Sequence, residues 1–418
     1  MNQIEKKIYD IVKRNPRLKL AMRNIYQSIF DLIPDKENYF AYPQTIREGY
    51  FFGFHDRSPF SADEQYLLAH KVLIPLHMPQ KGEGVGIGFW KDNEEYTQID
   101  VSYGWNYHKG CRLQWLGSSS DCFAYNTMEN EIPFAYLYSI SKKKKSKIDY
   151  PIDTISPDGK YATSFSYERL NEMMPGYGYC CKDGGYLDSC APSDTGLYLV
   201  DLKNNSRKLI YSLEQLFQIQ PVPSMTGAKH YVTHTQFSPD GQYISFLHRW
   251  TFDDPNKRYT RMLTCRLDGS NLCISPTSGM VSHYVWDEPH GLLAYCQVDG
   301  IDGHYLLGNH EMKNPRRVAP ELNSDGHQSY ITGSDSFVTD TYPDRRRYAK
   351  IYRVDLNSGQ AEKIVEVKSP KQYQSPDCYH HWACDLHPRV SPSGKWLCFD
   401  TVCTGKRALC IMNIEGPN

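Results

Sequence analysis

A histidine recurs at one position relative to a repeated turn in the C-terminal half of the chain. It stands four residues before the turn in four successive stretches, HTQFSPDG at His234, HYVWDEPH at His283, HQSYITGS at His327 and HPRVSPSG at His387. Neutral imidazoles that converge on one point are good ligands for a transition metal. The pattern therefore predicts a divalent-metal site, provided that the fold brings these positions together.

Arginine takes the same place in the N-terminal half. Arg57 stands four residues before the turn in RSPFSADE and Arg112 does so in RLQWLGSS, whereas Ile152 occupies the position in the third repeat. A guanidinium group binds a carboxylate through two parallel hydrogen bonds. The arginines and histidines together predict a site for an anionic ligand. The alternative is a structural residue that braces the strands of every repeat.

Repeated turns also divide the chain into similar units. A turn such as SPDG precedes a short apolar strand, and a second strand pair with an Asp-Leu turn follows in LYLVDLKNNSRKLIY and IYRVDLNSGQAEKIVEV. Two hairpins per unit make the four-stranded blade of a β-propeller. Inner hairpins begin near residues 52, 111, 151, 231, 282, 327 and 386. We therefore predict an all-β, seven-bladed β-propeller over residues 39–418, with residues 39–47 supplying the outer strand that the last blade lacks.

Residues 1–38 have a different pattern, which predicts an N-terminal helical extension. Ile4, Ile8 and Ile11 follow helical spacing, and lysines and arginines surround them. We expect these helices to pack on the propeller. The alternative is contact with a membrane surface or a partner protein through a basic amphipathic face.

Composition excludes several classes of protein. A net charge of −1 gives no overall positive potential that would attract nucleic acid. No apolar run approaches the roughly 20 residues of a membrane span. The N-terminus lacks the apolar core of a secretory signal. Thirteen cysteines without a framework fit a reducing compartment, and Cys180, Cys181 and Cys190 lack a convincing zinc spacing. We expect a cytoplasmic protein.

Further polar residues stand where the predicted strands lead toward one end of the axis. His55 and His70 belong to paired strands of the first blade, and His248, Arg249 and Arg261 stand at adjoining strand ends of the fourth. Two more groups are Asp340 with Tyr342 in VTDTYPD, and Arg169, Tyr177 and Tyr179 in the long excursion YERLNEMMPGYGYCCKDGGYLDSC. Long insertions from a propeller commonly shape a binding site.

The C-terminal half resembles oligogalacturonate lyase, a propeller enzyme of pectin breakdown. The resembling stretches, in family order, are HTQFSPDGQYISFLHRW, YTRML, DGSN, SHYVW and LHPRVSPSGKWLCFDTVCTGKRALCIMNI. The resemblance implies a Mn²⁺ site that includes His283 and His387, and it matches His248 to a family active-site histidine. Arg389 replaces a second histidine of the family's HPH motif, and Cys384 stands in the place of its glutamine. Propeller lyases acting on other uronate-containing glycans look similar too.

We therefore hypothesise a lyase that cleaves beside a uronate by β-elimination. A divalent metal (Mn²⁺, Ca²⁺ or Zn²⁺) held by His283, His327 and His387 would stabilise the enolate-like intermediate. His248 or His234 would remove the C5 proton, supported by Arg261. The predicted substrate-binding residues are Arg57, Arg112, His55, His70, Arg169, Tyr179, Arg249, Tyr342 and Arg389.

Two rival functions use the same predicted fold. A non-catalytic propeller would bind a glycan or a protein partner in surface-polysaccharide metabolism, since a fold by itself never proves activity. A metal-dependent hydrolase, or another glycan-modifying enzyme, would use the same central funnel. Because Arg389 replaces the second histidine of the HPH motif, the sequence supports these two rival functions. In contrast, His248, Arg261 and His283 favour the lyase.

Overall fold

Seven antiparallel sheets make up the protein, and each sheet is one blade of a β-propeller. The structure is a computed structural model, and it describes residue 30 and residues 33–92, 94–252, 257–377 and 379–415. The predicted all-β, seven-bladed propeller is confirmed. The N-terminal helical extension predicted over residues 1–38 is not shown: residues 1–29, 31 and 32 lie outside the described residues, as does the membrane or partner contact expected of them, and residues 33–38 form no helix. No helix among the described residues is long and apolar enough to span a membrane.

Two short strands precede the first blade, and blades 1 to 3 follow in chain order. The preceding strands are β1 (Tyr39–Phe40) and β2 (Gln44–Glu48). Blade 1 contains β3 (Tyr50–Phe51), β4 (Tyr66–Lys71), β5 (Val85–Lys91) and β6 (Thr97–Ser102). Blade 2 contains β7 (Gln114–Trp115), β8 (Cys122–Glu129), β9 (Ile132–Ser139) and β10 (Lys144–Ile148). Blade 3 contains β11 (Tyr161–Ser164), β12 (Gly196–Asp201) and β13 (Ser206–Ser212).

Blades 4 to 7 complete the ring. Blade 4 contains β14 (Lys229–Phe237), β15 (Tyr243–Thr251), β16 (Arg258–Arg266) and β17 (Cys273–Ile274). Blade 5 contains β18 (Val281–Asp287), β19 (Gly291–Val298), β20 (Ile301–Gly308) and β21 (Arg316–Val318). Blade 6 contains β22 (Gln328–Tyr330), β23 (Ser336–Asp340), β24 (Tyr348–Asp355) and β25 (Ala361–Lys368). Blade 7 contains β26 (Arg389–Val390), β27 (Trp396–Thr401) and β28 (Ala408–Asn413).

The N-terminal strands close the ring as the sequence predicts. β2 pairs antiparallel with β28 and so supplies the outer strand of blade 7, with Gln44 opposite Met412. β1 does not join it, because Tyr39 and Phe40 pair with β25 and add a fifth strand to blade 6. The segment before blade 1 therefore ties together the last two blades.

In four blades the inner hairpin turns on a serine whose hydroxyl accepts a hydrogen bond from the strand that follows. The Ser156 hydroxyl accepts a hydrogen bond from the amide of Tyr161 at 2.9 Å, and Ser238 accepts one from the amide of Tyr243 at the same distance. Gly159 and Gly241 have φ values of 71° and 70° in these turns, a conformation that glycine adopts without a steric penalty. The SPDG motif thus specifies a tight turn through its serine and its glycine.

A polar side chain links four of the blades to the next blade. It is the fifth residue of the second strand, namely His70, Asn126, Asp340 and Asp400. Each accepts a hydrogen bond from a backbone amide near the start of the next blade's inner strand, donated by Cys111, Ile152, His387 and Phe52 respectively. Because a buried backbone amide without a partner is costly, these contacts specify how neighbouring blades meet.

The hydrophobic core lies between the faces of adjacent sheets. Between blades 1 and 2, for example, the Phe89 and Phe123 rings are 6.3 Å apart, and Trp115 packs on Tyr66 at the same distance. The described cysteines are free thiols, so no disulfide contributes to the stability of this part of the chain. Interlocking aromatic and aliphatic side chains therefore stabilise the ring.

Among the described residues, short helices stand in the connections between the strands of the propeller. Helix α1 (Tyr167–Met173) begins at Ser166, whose hydroxyl accepts from the Arg169 amide, and helix α2 (Leu213–Gln218) begins with a capping box. Single 3₁₀ turns cover Pro223–Met225 and Lys371–Tyr373. The connection that contains α1 carries Tyr177 toward the end of the axis opposite the SPDG turns.

Asp400→Ala should lower the free energy of unfolding by about 3–5 kcal/mol. Asp400 accepts from the Phe52 and Gly53 amides and pairs with buried Arg389 at 2.9 Å, so its removal leaves a guanidinium and two amides without this partner. Urea unfolding followed by tryptophan fluorescence measures the change. The matched variant Asp158→Ala, at a carboxylate with 49% exposure, should change little, and equal losses in the two variants would refute the blade-linking role.

His290 should make the junction of blades 5 and 6 sensitive to pH. Burial lowers the pKa of His290, but hydrogen bonds to Asp335 and Asp287 outweigh burial and raise it above 6.5. A raised pKa contributes stability that is complete below pH 6.5 and is lost as the pH rises through the folded-state pKa. The stability advantage over His290→Gln, at most about 1 kcal/mol because both carboxylates are solvated, should therefore shrink between about pH 6 and pH 8 in thermal unfolding. A gap that widens with pH would contradict this assignment.

Candidate functional site

The four recurring histidines meet around the propeller axis, together with His55. The ring centroids of His283 and His327 are 4.0 Å apart, and those of His327 and His387 are 4.2 Å apart. His55 lies 5.1 Å from His327, and His234 lies 6.1 Å from His283. All five are buried. The sequence-based prediction that these positions converge is therefore confirmed.

Phe54 occupies the middle of this histidine cluster. Its ring centroid lies 5.0 Å from His234 and 5.3 Å from His387. It also lies 6.0 Å from both His283 and His327, in edge-to-face contact. An apolar ring at the axis keeps the imidazoles apart and contributes to their desolvation.

The backbone turns sharply at the recurring position in three blades. His234, His387 and Arg112 have φ values of 52°, 46° and 57°, in the left-handed region that non-glycine residues rarely adopt. In blades 4 and 5 the pairing register of the inner strand also shifts at the histidine. Such residues cost about 1–3 kcal/mol each and persist only where the surrounding structure holds them in place. These irregularities give the recurring side chains a backbone setting that a regular strand would not provide.

Asp340 holds two of these histidines. Its carboxylate accepts from the amide of His327 at 2.7 Å and from the amide of His387 at 2.9 Å. It also contacts the His327 ring at Nδ1, at 2.9 Å, so that nitrogen donates and Nε2 is left for another partner. Asp340 therefore orients the imidazole of blade 6 and positions the backbone of blade 7.

The protonation states of the cluster follow from burial and from Asp340. Burial lowers the pKa of His55, His234, His283 and His387 well below the ordinary value, and neighbouring histidines lower it further. For His327, burial also lowers the pKa, but Asp340 outweighs it and raises the pKa. Four of the five imidazoles are thus neutral at pH 7, which is the form that binds metals.

Unpaired polar atoms identify the part of the cluster that could bind a cation. His108 Nδ1, Asp385 Oδ2 and His387 Nε2 are all buried without a hydrogen-bond partner, and His108 Nδ1 lies 3.5 Å from Asp385 Oδ2. One ligand atom from each residue lies within 4.8 Å of the others. Two imidazoles and a carboxylate are a ligand set that transition metals accept, and a cation would satisfy all three atoms. These residues fit a divalent metal.

A pocket of about 310 Å³ opens beside this metal-ligand set, at the end of the axis away from the SPDG turns. Tyr342, Arg347, His381 and Asp385 contribute to its lining. His381 Nδ1 contacts His108 Nε2, and the Tyr177 ring stacks on His108 at 4.9 Å. The pocket therefore combines charged, imidazole and phenol groups around the carboxylate of Asp385.

Between the axial histidines and the SPDG turns, a layer of ion pairs fills the axis of the propeller. Arg112 pairs with both carboxylate oxygens of Asp56 at 3.0 and 2.8 Å and with Asp153 at 3.1 Å. Lys109 also pairs with Asp153, at 3.3 Å. Arg112 is thus surrounded by carboxylates of the protein, and Arg57 lies beyond this layer, toward the SPDG turns.

His248 and Arg261 belong to a separate cluster between blades 3 and 4. His248 Nε2 lies 2.8 Å from His230 Nδ1, and Arg261 donates to His248 Nδ1 at 3.1 Å. The Arg261 guanidinium also donates to the carbonyls of Leu216 and Ile219 at the end of α2. In this arrangement both side chains hold the α2 connection, and the structure does not bring them to the axial histidines.

The remaining predicted residues each have partners within the protein. His70 accepts from the Cys111 amide at 3.1 Å, and Arg389 pairs with Asp400. Tyr179 stacks on Tyr167 at 4.3 Å and its hydroxyl accepts from Asn126.

The predicted arginines Arg169 and Arg249 bind backbone carbonyls. Arg169 donates to the carbonyls of His230 and Cys190, which ties down the long excursion. Arg249 donates to the carbonyls of Val281 and Ser282 beside His283, which places it next to the axial cluster. Of the predicted substrate-binding residues, His55, Tyr342 and Arg249 therefore lie at or beside this cluster.

Sequence reasoning missed His108, His381 and Asp385. Asp385 stands two residues before His387 in CDLHPR, in the irregular segment that precedes β26, and this closeness in sequence is the signal that could have found it. His108 and His381 lie in irregular connections, and only the fold brings them together. The structure groups His387 with these residues, whereas the predicted metal ligands His283 and His327 lie outside the group of close ligand atoms.

Comparison with solved structures supports the fold. The chain matches no protein-family model and no curated protein by sequence. It is similar to oligogalacturonate lyase in complex with manganese, at 14% identity and a TM-score of 0.63, over 90% of this chain and 95% of that chain. It is also similar to oligogalacturonate lyase from Vibrio parahaemolyticus, at 14% identity and a TM-score of 0.60, over 90% and 96% of the two chains. At this identity, the likeness shows a shared propeller fold.

Titration with Mn²⁺ tests which of these side chains bind a metal ion. Asp385→Asn and His108→Gln should each weaken Mn²⁺ binding at least about tenfold, since even the loss of an outer-shell partner costs that much. Isothermal titration calorimetry on the full chain measures the affinity. The control His283→Gln removes an axial imidazole outside the close group and should bind almost as tightly as the native protein. Loss of binding in His283→Gln alone would instead favour the set His283, His327 and His387.

Proposed function

We propose that the protein is a cytoplasmic lyase that cleaves an acidic oligosaccharide beside a uronate residue, by metal-assisted β-elimination. The observation that carries this proposal is the group of unpaired, buried ligand atoms of His108, Asp385 and His387 at the base of an open pocket. The propeller shared with oligogalacturonate lyases supports the substrate class, and the free cysteines agree with a reducing compartment.

Elimination beside a uronate has three chemical requirements. The C6 carboxylate must be neutralised, a base must take the C5 proton, and an acid must protonate the leaving glycosidic oxygen. A divalent cation at His108, Asp385 and His387 would neutralise the carboxylate and stabilise the negative charge that develops on it. The side chains of the protein supply the other two functions.

Asp385 remains ionised although it is buried. Burial opposes ionisation, but the neighbouring imidazoles of His108, His327 and His381 outweigh it and lower the pKa of Asp385 well below its usual range. An anionic carboxylate between imidazoles attracts a cation and balances part of its charge. The pocket is therefore ready to receive a cation at neutral pH.

His381 is the proposed proton donor. His108 must use Nδ1 for the cation, so its Nε2 carries the hydrogen and donates to His381 Nδ1. His381 then keeps its own proton on Nε2. Burial and His108 lower the pKa of His381 to about 3, so the ring is neutral at pH 7. As its Nε2 proton passes to the leaving oxygen, its Nδ1 would take the proton of His108 Nε2, and the negative charge left on His108 would lie beside the cation.

His234 is the proposed base. Its Nδ1 lies 2.9 Å from the Thr233 hydroxyl, and its Nε2 is buried without a partner. With the proton on Nδ1, Nε2 holds a lone pair that can accept the C5 proton. Tyr177 lies between the two groups, with ring centroids 6.0 Å from His234 and 5.7 Å from His381. Burial raises the pKa of the Tyr177 phenol, which therefore remains protonated and donates to the substrate.

Arginines would hold the carboxylates of the substrate. Arg347 lines the pocket, and Arg249 lies beside His283 with its guanidinium on backbone carbonyls. Burial and the charge of Arg258 lower the pKa of Arg249 to about 10, so it still carries its charge at neutral pH. These two arginines take the substrate-binding role predicted for Arg112 and Arg389, because the charges of Arg112 and Arg389 are compensated by aspartates of the protein.

His381→Gln should lower the elimination rate by about 10²–10⁴-fold, the usual contribution of a positioned acid or base. Mn²⁺ affinity should change little, because His381 is not in the ligand group. The ultraviolet absorbance of the unsaturated product, formed from oligogalacturonates or glucuronate-containing oligosaccharides with Mn²⁺ present, measures the rate.

His310→Gln is the matched control, since this ring stacks on Tyr243 away from the axis, and it should retain native activity. A strong loss in His248→Gln with native activity in His381→Gln would transfer the proton chemistry to the cluster between blades 3 and 4. Saturable oligosaccharide binding without any unsaturated product would identify a non-catalytic binding propeller instead.

A further inference from the structure

A second cavity lies at the opposite end of the axis, among the inner hairpin turns. Its volume is about 330 Å³, and Arg57, Ser58, Gln114 and Trp115 contribute to its lining. Turn residues of blades 2, 3 and 7 complete the wall, namely Gly117, Ser118, Ser156, Pro157 and Pro392. The ion-pair layer and Phe54 separate this cavity from the pocket of the proposed lyase site.

The buried charges beside this cavity do not balance. Three cations, Lys109, Arg112 and Arg57, face two carboxylates, Asp56 and Asp153. Arg112 already pairs with both carboxylates and Lys109 pairs with Asp153, at distances of 2.8–3.3 Å. One positive charge therefore remains uncompensated among the described residues, on a side chain that is only partly exposed to solvent.

The excess charge resides on Arg57, which lines the cavity. Its Nη1 donates to the Asp56 carbonyl at 2.8 Å and its Nε approaches the Gln114 side chain at 3.4 Å. Its Nη2 is buried without a hydrogen-bond partner, as is the hydroxyl of the adjacent Ser58. Two unsatisfied donors and one unbalanced cation thus meet at the same cavity.

We propose that this cavity binds a monocarboxylate with a small apolar body, with the carboxylate on Arg57 and Ser58. A single negative charge balances the single excess positive charge, whereas a phosphate dianion would reverse the imbalance. Phe60, Trp115 and Phe237 form apolar walls that suit a ring or a short hydrocarbon chain. This site is separate from the proposed lyase chemistry and does not depend on it.

Binding of benzoate to the full-length protein tests the proposal. Isothermal titration calorimetry and thermal unfolding should show saturable binding and a rise in Tm with benzoate. Benzamide, which is neutral, and sulfate, which is a dianion at neutral pH, should bind at least about tenfold more weakly, because each fails to balance the charge of Arg57.

Two variants and a control locate the site. Arg57→Gln should abolish the benzoate-dependent rise in Tm without lowering the Tm of the free protein, because it removes an uncompensated charge. Ser118→Phe should block binding by narrowing the cavity while leaving Arg57 in place. Lys160→Gln removes a solvent-exposed lysine near the same turns, paired with Asp158, and should bind benzoate like the native protein.

Other outcomes would overturn the proposal. Absence of saturable benzoate binding, or equal binding by benzamide, would show that the cavity does not recognise a carboxylate. Unchanged affinity in both Arg57→Gln and Ser118→Phe would place the bound molecule elsewhere. A large fall in Tm for ligand-free Arg57→Gln would show that Arg57 is a structural residue whose charge the protein already compensates.

Discussion

The site depends on hydrogen bonds that cross from one blade to the next through a side chain. Asp340 of blade 6 accepts hydrogen bonds from the amide and ring of His327 and from the amide of His387. Asp400 of blade 7 accepts from the amides of Phe52 and Gly53. Since an ionised acceptor makes shorter and stronger bonds than a neutral one, these two aspartates determine where the inner strands of blades 7 and 1 begin. The axial imidazoles lie where these strands place them.

Charge is arranged in layers along the axis. The proposed metal-binding residues and an open pocket lie at one end, neutral imidazoles surround Phe54 in the middle, and compact ion pairs lie between Phe54 and the SPDG turns. Each layer is buried, so every group must find a partner inside the protein or in a ligand. The unpaired atoms at the two ends therefore have more functional meaning than the many satisfied polar groups between them.

Repetition made the propeller predictable. The seven hairpins, the closing strand and the convergence of His234, His283, His327 and His387 all follow from equivalent positions in a ring. Partners across blades did not follow, because they depend on the fold of distant segments. Arg112 and Arg389 occupy promising positions but are neutralised by Asp56, Asp153 and Asp400. His108 joins Asp385 and His387 from a segment with no repeat, and a single sequence carries little signal for such a contact.

Closure of the ring by β2 has a consequence for how the protein is made. Blade 7 takes its outer strand from the start of the propeller and its other strands from residues 389–413, far later in the chain. Asp385 and His387 lie directly before these later strands. During translation the first six blades would emerge while the ring is still open. The edge of β2 would then have no partner strand and would be prone to pair with the wrong strand. A nascent chain would thus bring His108, Asp385 and His387 together only after blade 7 has been synthesised and has paired with β2.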